Sequence, residues 1–171
     1  QVELLRGKFD KNGNPSGEWH SRTWKETRDE AIGLAKGLMV LGLKKGDRIG
    51  FCATNSVAFF DAYYTNEKTG IIVTTYNCLL RDKELFALIE NEAPSVILYS
   101  SEFVFTVTAL REKGFKQEFI CLDSNCEGDT YSYADIMENE DYAPVKSPVL
   151  DYEDIQMLIH TGGTTGTPKA A

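Results

Sequence analysis

The part of the sequence whose residue types best suit chemistry is a glycine- and threonine-rich segment, residues 161–169. It reads Thr-Gly-Gly-Thr-Thr-Gly-Thr-Pro-Lys and directly follows an apolar run at 155–160. Glycines allow several backbone N–H groups to converge on an anion, and threonine hydroxyls add further hydrogen-bond donors. Lys169 adds a full positive charge on a flexible side chain. We therefore predict a loop that binds a polyphosphate.

This segment differs from two widespread phosphate-binding motifs. A Walker loop requires Gly-Lys-Ser/Thr, whereas here Pro168 separates the glycines from Lys169. The dinucleotide fingerprint requires a Gly-x-Gly start, which is absent from residues 162–166. A flexible linker is the plain alternative, but linkers seldom follow a buried strand directly or end in Pro-Lys.

Apolar runs alternate with helix-like segments through the rest of the chain. The first helix has the clearest signals, because Thr23 and Glu26 form a capping-box pattern and Gly42 suits a left-handed helix end. The run Lys11–Gly17 predicts a turn, in a hairpin or a flexible edge. Residues 123–150 are acidic, and we interpret them as a surface excursion or a crossover. We predict strands at 48–53, 71–75, 96–99, 119–122 and 155–160, and helices at 24–41, 56–68, 82–93, 101–113 and 133–139.

Strands that alternate with helices in this way form βαβ units. Because the predicted strands are almost continuously apolar, we expect a parallel sheet with helices on both faces. The predicted fold class is therefore α/β, doubly wound, with a mostly parallel sheet.

Composition argues against two classes of main partner. The chain has 171 residues, 42% of them hydrophobic, and a formal net charge of −8. The negative charge is concentrated in residues 123–154, where Lys146 is the only basic residue. An acidic chain without a basic stripe is not expected to bind nucleic acid or an anionic membrane.

We also expect no membrane span, and the first residues do not resemble a signal peptide. The four cysteines lack the spacing of a zinc site, so we interpret Cys52, Cys78, Cys121 and Cys126 as reduced cytoplasmic thiols.

The segment Leu158–Lys169 resembles the AMP-binding signature of the adenylate-forming superfamily, which includes acyl- and aryl-CoA synthetases, luciferases and adenylation domains. Each position of that twelve-residue pattern carries a residue that the pattern allows, although some are not the commonest choice. Further similarity covers the upstream chain in the helix start Thr23–Glu26, the segment Gly46–Ile49, Asn55-Ser56, the segment Gly70–Leu80, and the acidic pair Asp151 and Asp154.

A few positions depart from the family pattern. Gly162 stands where serine is commoner, and Ala170 where glycine is commoner. Thr75 and Cys78 replace two prolines. His160 replaces a usual tyrosine or phenylalanine, and at the end of a buried strand we interpret it as a packing residue.

The resemblance implies a fold, a reaction and a site. It implies an ATP-dependent acid–CoA ligase, and it favours fatty- or aryl-acid ligases over amino-acid adenylation domains. Fatty-acid metabolism is the expected process. The enzyme would use Mg²⁺, form an acyl-adenylate and pass the acyl group to coenzyme A. The phosphate-binding residues it implies are Thr161, Gly162, Gly163, Thr164, Thr165, Gly166 and Lys169.

The resemblance also implies that residues 1–171 are a partial N-terminal AMP-binding domain that ends at the phosphate-binding loop. The adenine, magnesium, ribose and catalytic-lysine elements of the family would lie downstream. We therefore expect no catalytic residue within this chain and no ligase activity from it alone. Three alternatives remain open: a nucleotide-binding module without turnover, a structural domain derived from a ligase, and an amino-acid adenylation domain.

Overall fold

The structure is a computed structural model, and it describes most of the chain. Backbone is described for residues 2–9, 11–12, 15–77, 80, 82–124, 126–137, 147–161 and 169–170. Side chains are described for residues 11–12, 21–77, 80, 82–124, 126–137 and 147–160.

The chain begins with a β-hairpin. Strands β1 (Val2–Phe9) and β2 (Pro15–Arg22) pair antiparallel in one continuous register from Val2↔Arg22 to Phe9↔Pro15. The described turn residues 11–12 lie between them, which confirms the hairpin interpretation, although Pro15–Gly17 of the predicted turn belong to β2.

A six-stranded sheet forms the centre of the protein. Its strand order is β6-β5-β3-β4-β7-β8, and all its neighbouring strands pair in parallel except β7 and β8. The strands are β3 (Arg48–Cys52), β4 (Ile72–Thr75), β5 (Val96–Tyr99), β6 (Glu118–Cys121), β7 (Met157–Thr161) and β8 (Lys169–Ala170).

Helices cover both faces of this sheet. They are α1 (Trp24–Val40), α2 (Val57–Thr69), α3 (Asp82–Glu92), α4 (Val104–Glu112, after a 3₁₀ turn at Ser101–Phe103) and α5 (Tyr133–Met137). One apolar core joins α1, α2 and α5 to the sheet through residues such as Leu34, Ala62 and Ile136. A second core on the opposite face joins α3 and α4 through residues such as Ile89 and Leu110. The predicted doubly wound α/β class is confirmed.

Local signals account for several helix ends. The Thr23 side chain accepts from the backbone N–H of Glu26 while the Glu26 carboxylate accepts from the N–H of Thr23, as the capping-box pattern predicts. Gly42 and Gly70 adopt positive φ angles of 92° and 69°, which only glycine adopts without steric cost. Ser56 is the N-cap of α2 as predicted, but its hydroxyl makes no capping hydrogen bond.

One prediction about burial is wrong. Strand β7 was expected to be buried on both faces, yet Ile159 is 52% exposed and Ile155, just before the strand, is 53% exposed. Within the described residues, β7 has the four-residue strand β4 on one side and only the two-residue strand β8 on the other. An edge strand shields its side chains less than a central strand, because fewer neighbouring elements pack against it.

Candidate functional site

The segment predicted to bind phosphate follows the carboxyl end of a parallel strand. Strands β3 to β7 point in one direction, so their carboxyl ends meet at one edge of the sheet. Strand β7 reaches this edge at His160 and Thr161, beside Tyr76, which follows β4. Open α/β sheets bind ligands at the carboxyl ends of their strands, so the fold places the start of the segment at a favourable edge.

The two ends of the segment lie opposite each other. Strand β8 turns back antiparallel to β7, with Thr161 paired with Lys169 and His160 paired with Ala170. Thr161 and Lys169, the first and last predicted site residues, therefore lie directly opposite each other on the two paired strands. The predicted site residues between them, Gly162, Gly163, Thr164, Thr165 and Gly166, lie outside the described residues.

His160 is held by contacts at both ring nitrogens. Its side chain is 4% exposed. Nδ1 lies 2.9 Å from the backbone carbonyl oxygen of Thr75 on β4, and Nε2 contacts Oε1 of Glu92 on α3. The Tyr76 ring stacks on the imidazole, with ring centroids 5.8 Å apart and planes 22° apart. These contacts tie the last residue before Thr161 to β4 and α3.

Glu92 belongs to the same buried polar cluster. Its side chain is 5% exposed, and its second oxygen, Oε2, accepts a hydrogen bond of 2.6 Å from the Thr74 hydroxyl. Its backbone carbonyl accepts from Nη1 of Arg48 at 2.6 Å, which fixes the end of α3 against β3. Burial raises the pKa of Tyr76, and the neighbouring charge of Glu92 raises it further. We refer to His160, Glu92, Thr74 and Tyr76 as the His160 cluster.

The sequence alone did not reveal this cluster. His160 was interpreted as a packing residue, and the structure adds hydrogen-bond partners to its buried environment. Glu92 was not singled out at all. A carboxylate in the last turn of a helix opposes the helix dipole, and that unfavourable placement was the available signal that Glu92 has a partner elsewhere.

The segment before β7 is also anchored. Nζ of Lys45 donates to Oδ2 of Asp154 at 2.6 Å and to the carbonyl oxygen of Val149 at 3.0 Å. The same carboxylate oxygen accepts from the N–H of Asp151 at 2.8 Å. The hydrogen bond from Lys45 lowers the pKa of Asp154. The acidic pair noted in the sequence thus forms a turn that is tied to the start of β3.

A cavity also lies elsewhere along the same sheet edge. It is an open, polar cleft beyond the carboxyl ends of β3, β5 and β6. The strand order changes direction at β3, because β4 lies on one side of it and β5 on the other. Its lining includes Asn55, Asp61, Ser101 and Asp123 but no residue of β7. The loop is the better candidate site, because it carries the specific sequence pattern and the cleft does not.

Two further properties concern the described residues alone. No group of three or more His, Cys, Asp or Glu side chains within them is arranged to hold a metal ion. None of the described helices is sufficiently long and apolar to cross a bilayer.

Comparison with protein families gives a match over nearly the whole chain. Residues 8–171 match the model of a family described as "AMP-binding enzyme". The match covers strand β2 of the hairpin, the central sheet and the whole glycine- and threonine-rich segment.

Individual relatives agree with this match. A long-chain-fatty-acid–CoA ligase of Thermus thermophilus is 28% identical over 155 residues, covering 90% of this chain and 28% of that protein. A probable acyl-activating enzyme of Arabidopsis thaliana is 30% identical, covering 86% of this chain and 28% of that protein. The chain therefore spans less than a third of the length of these relatives.

Solved structures share the fold. A crystal structure of an anthranilate CoA ligase in complex with anthranoyl-AMP has a TM-score of 0.78 at 23% identity, covering 88% of this chain and 29% of that chain. The adenylation domain of a carboxylate reductase from Mycobacterium chelonae has a TM-score of 0.81 at 19% identity, covering 99% of this chain and 30% of that chain.

Proposed function

Because the chain belongs to the family of AMP-binding enzymes, we propose that it forms the phosphate-binding part of an acid–CoA ligase. In this reaction a carboxylate oxygen attacks the α-phosphorus of ATP, and pyrophosphate leaves. The thiol of coenzyme A then attacks the carbonyl carbon of the acyl-adenylate, and AMP leaves. The observation that carries the proposal is the sequence of the loop, which starts where β7 reaches the carboxyl edge of the parallel sheet.

We assign the loop a role in holding the β- and γ-phosphates. Backbone N–H groups at Gly162, Gly163 and Gly166 and the hydroxyls of neighbouring threonines would donate hydrogen bonds to phosphate oxygens. Lys169 would neutralise the charge that grows on pyrophosphate as it leaves. Catalysis by this part of the enzyme is then positioning and charge stabilisation, without covalent chemistry.

The pairing of Thr161 with Lys169 supports this assignment. A loop whose ends are joined by a backbone ladder loses less conformational entropy when it closes around a ligand. Mg²⁺ would enter as part of the Mg–ATP substrate, and we assign it no ligand among the described residues.

The names of the relatives support acids of the acyl and aryl classes. They include long-chain and medium-chain fatty-acid ligases as well as coumarate and feruloyl ligases. A place in fatty-acid metabolism is the narrower proposal. We also propose a cytoplasmic location, a compartment that keeps thiols such as those of Cys121 and Cys126 reduced.

Acid-dependent exchange of radiolabelled pyrophosphate into ATP tests the function. The full-length protein is assayed with a panel of fatty, aryl and amino acids, followed by a coenzyme A consumption assay with each acid that supports exchange. We expect exchange with a fatty or aryl acid and consumption of coenzyme A, and no exchange by residues 1–171 alone. Exchange with amino acids only, or with no acid, would contradict the proposal.

A further inference from the structure

The buried contact between His160 and Glu92 requires a proton. The carbonyl oxygen of Thr75 can only accept a hydrogen bond, so Nδ1 of His160 must donate to it. The other nitrogen, Nε2, faces a carboxylate oxygen of Glu92. If both groups lacked a proton there, two lone pairs would face each other. One proton must therefore lie between Nε2 and Oε1.

Several features keep this proton in place. Glu92 lies in the last turn of α3, and that turn contains no basic residue. The carboxylate of Glu92 and the negative end of the helix dipole both attract the hydrogen that lies between the two side chains. The hydroxyl of Thr74 satisfies the second carboxylate oxygen, and Arg48 holds the backbone of Glu92. The pair is thus neutral as a whole and its outer atoms are hydrogen-bonded, which a buried ion pair requires.

The absence of a side chain at Gly50 leaves room for the aromatic ring that packs on the pair. A Cβ atom added at Gly50 of β3 would come within 2.7 Å of the Tyr76 ring, closer than real Cβ contacts allow. Gly50 therefore lets the Tyr76 ring lie against β3 and stack on His160. The imidazole is consequently fixed by Thr75, by Glu92 and by an aromatic face.

We propose that His160 and Glu92 are positioning residues for the phosphate-binding loop, acting through the proton that they share. His160 immediately precedes Thr161, so fixing its ring at both nitrogens fixes the direction in which the chain enters the loop. Loss of either partner would leave the loop entrance free to shift. Loss of the proton alone would place an uncompensated carboxylate beside a site for anionic phosphates. This inference rests on the proposed function, since it assigns the loop to the phosphates of ATP.

The kinetic test compares Glu92→Leu, Glu92→Gln and a matched control, Glu90→Gln, in the full-length protein. Glu90 lies on the same helix but is exposed. We expect Glu92→Leu to raise the KM for ATP about tenfold, in keeping with the loss of one charged hydrogen bond, with the KM for the acid unchanged. In Glu92→Gln the side-chain amide can donate to the neutral Nε2, so this conservative variant should recover most of the ATP affinity.

A spectroscopic test measures where the protons lie on the His160 ring, independently of enzyme activity. Histidine-selective ¹⁵N spectra of the full-length protein should show His160 protonated at Nδ1 and in a proton-sharing bond at Nε2. In Glu92→Gln the signal should change to the neutral tautomer with hydrogen on Nδ1 alone. A wild-type His160 that carries its only proton on Nε2 would overturn the proposal.

The outcomes separate this proposal from the function. If no acid supports exchange, the proposed ligase function is wrong, and the spectra still decide whether the proton is shared. If exchange occurs but Glu92→Leu matches Glu90→Gln, the positioning role is wrong. An equal rise in KM for ATP and for the acid would also overturn it, since that result indicates a general packing defect.

Discussion

Arg22 and Asp61 form a partly buried ion pair that joins the hairpin to helix α2. The two guanidinium nitrogens of Arg22 lie 2.7 and 3.3 Å from the two carboxylate oxygens of Asp61, whose side chain is only 4% exposed. Burial raises the pKa of Asp61, and the hydrogen bonds and charge of Arg22 oppose that rise without cancelling it. The contact with Arg22 thus stabilises the charged form of Asp61 in a buried site that disfavours charge.

Replacing Arg22 with methionine should therefore destabilise the protein most at neutral and higher pH. The change leaves Asp61 buried without its partner, which costs on the order of 3 kcal/mol when the group is charged. A carboxyl group whose pKa is raised in the folded state contributes to the free energy of unfolding at low pH. That contribution is lost as the pH rises through the raised pKa. The difference in melting temperature between variant and parent should shrink as pH falls from about 8 to about 5.

Arg28→Met is the matched control for this experiment. Arg28 also pairs with an aspartate, Asp29, but its side chain is 59% exposed. Exposed pairs contribute little to stability. A pH-independent loss in Arg22→Met, equal to that of the control, would show that Asp61 does not depend on its partner.

Two glycines on helix α1 provide a test of the packing against α5. A Cβ atom added at Gly37 would meet the Ile136 side chain at 2.1 Å and its carbonyl oxygen at 2.6 Å. The nearest atom for Gly33 is the Met137 carbonyl oxygen at 3.4 Å, an ordinary contact. Gly37→Ala should therefore lower stability by about 2 kcal/mol through overpacking.

Gly33→Ala should instead be neutral or slightly stabilising, since alanine is the better helix former. Thermal unfolding of the two variants side by side measures the difference. Equal stability of the two variants would mean that α5 can move away from α1 without cost.

The His160 cluster predicts a stability effect that depends on both partners. His160→Phe leaves Glu92 buried without its imidazole, and we expect a loss of roughly 3 kcal/mol. Adding Glu92→Leu removes the stranded carboxylate and should recover most of that loss, because apolar replacements of buried ion pairs are often tolerated. The double-mutant cycle is measured by thermal unfolding; additive losses would indicate that the two residues are not coupled.

The fold could be predicted from the sequence because its signals are local. The hairpin turn, the capping box at Thr23 and Glu26, and the glycines that end α1 and α2 each act within a few residues. The alternation of apolar strands with helices then determines the class of sheet. All of these features are confirmed.

The site was less predictable because its contacts are distant in sequence. His160 and Glu92 are 68 residues apart, and Lys45 and Asp154 are 109 apart. No local sequence pattern predicts which side chains the order of the strands brings together. The exposure of Ile159 has the same origin, since it depends on which elements flank β7.

The charge of Lys169 gives the most direct test of the central claim, that this loop binds the phosphates of ATP. In the full-length protein, Lys169→Ala should reduce kcat for pyrophosphate exchange at least about a hundredfold, while the KM for the acid changes little. Lys116→Ala is the control, because Lys116 is exposed and precedes β6 at the opposite edge of the sheet. The control should match the parent enzyme. An unchanged kcat in Lys169→Ala would contradict the account, since Lys169 would then be a solvated charge without a role in the reaction.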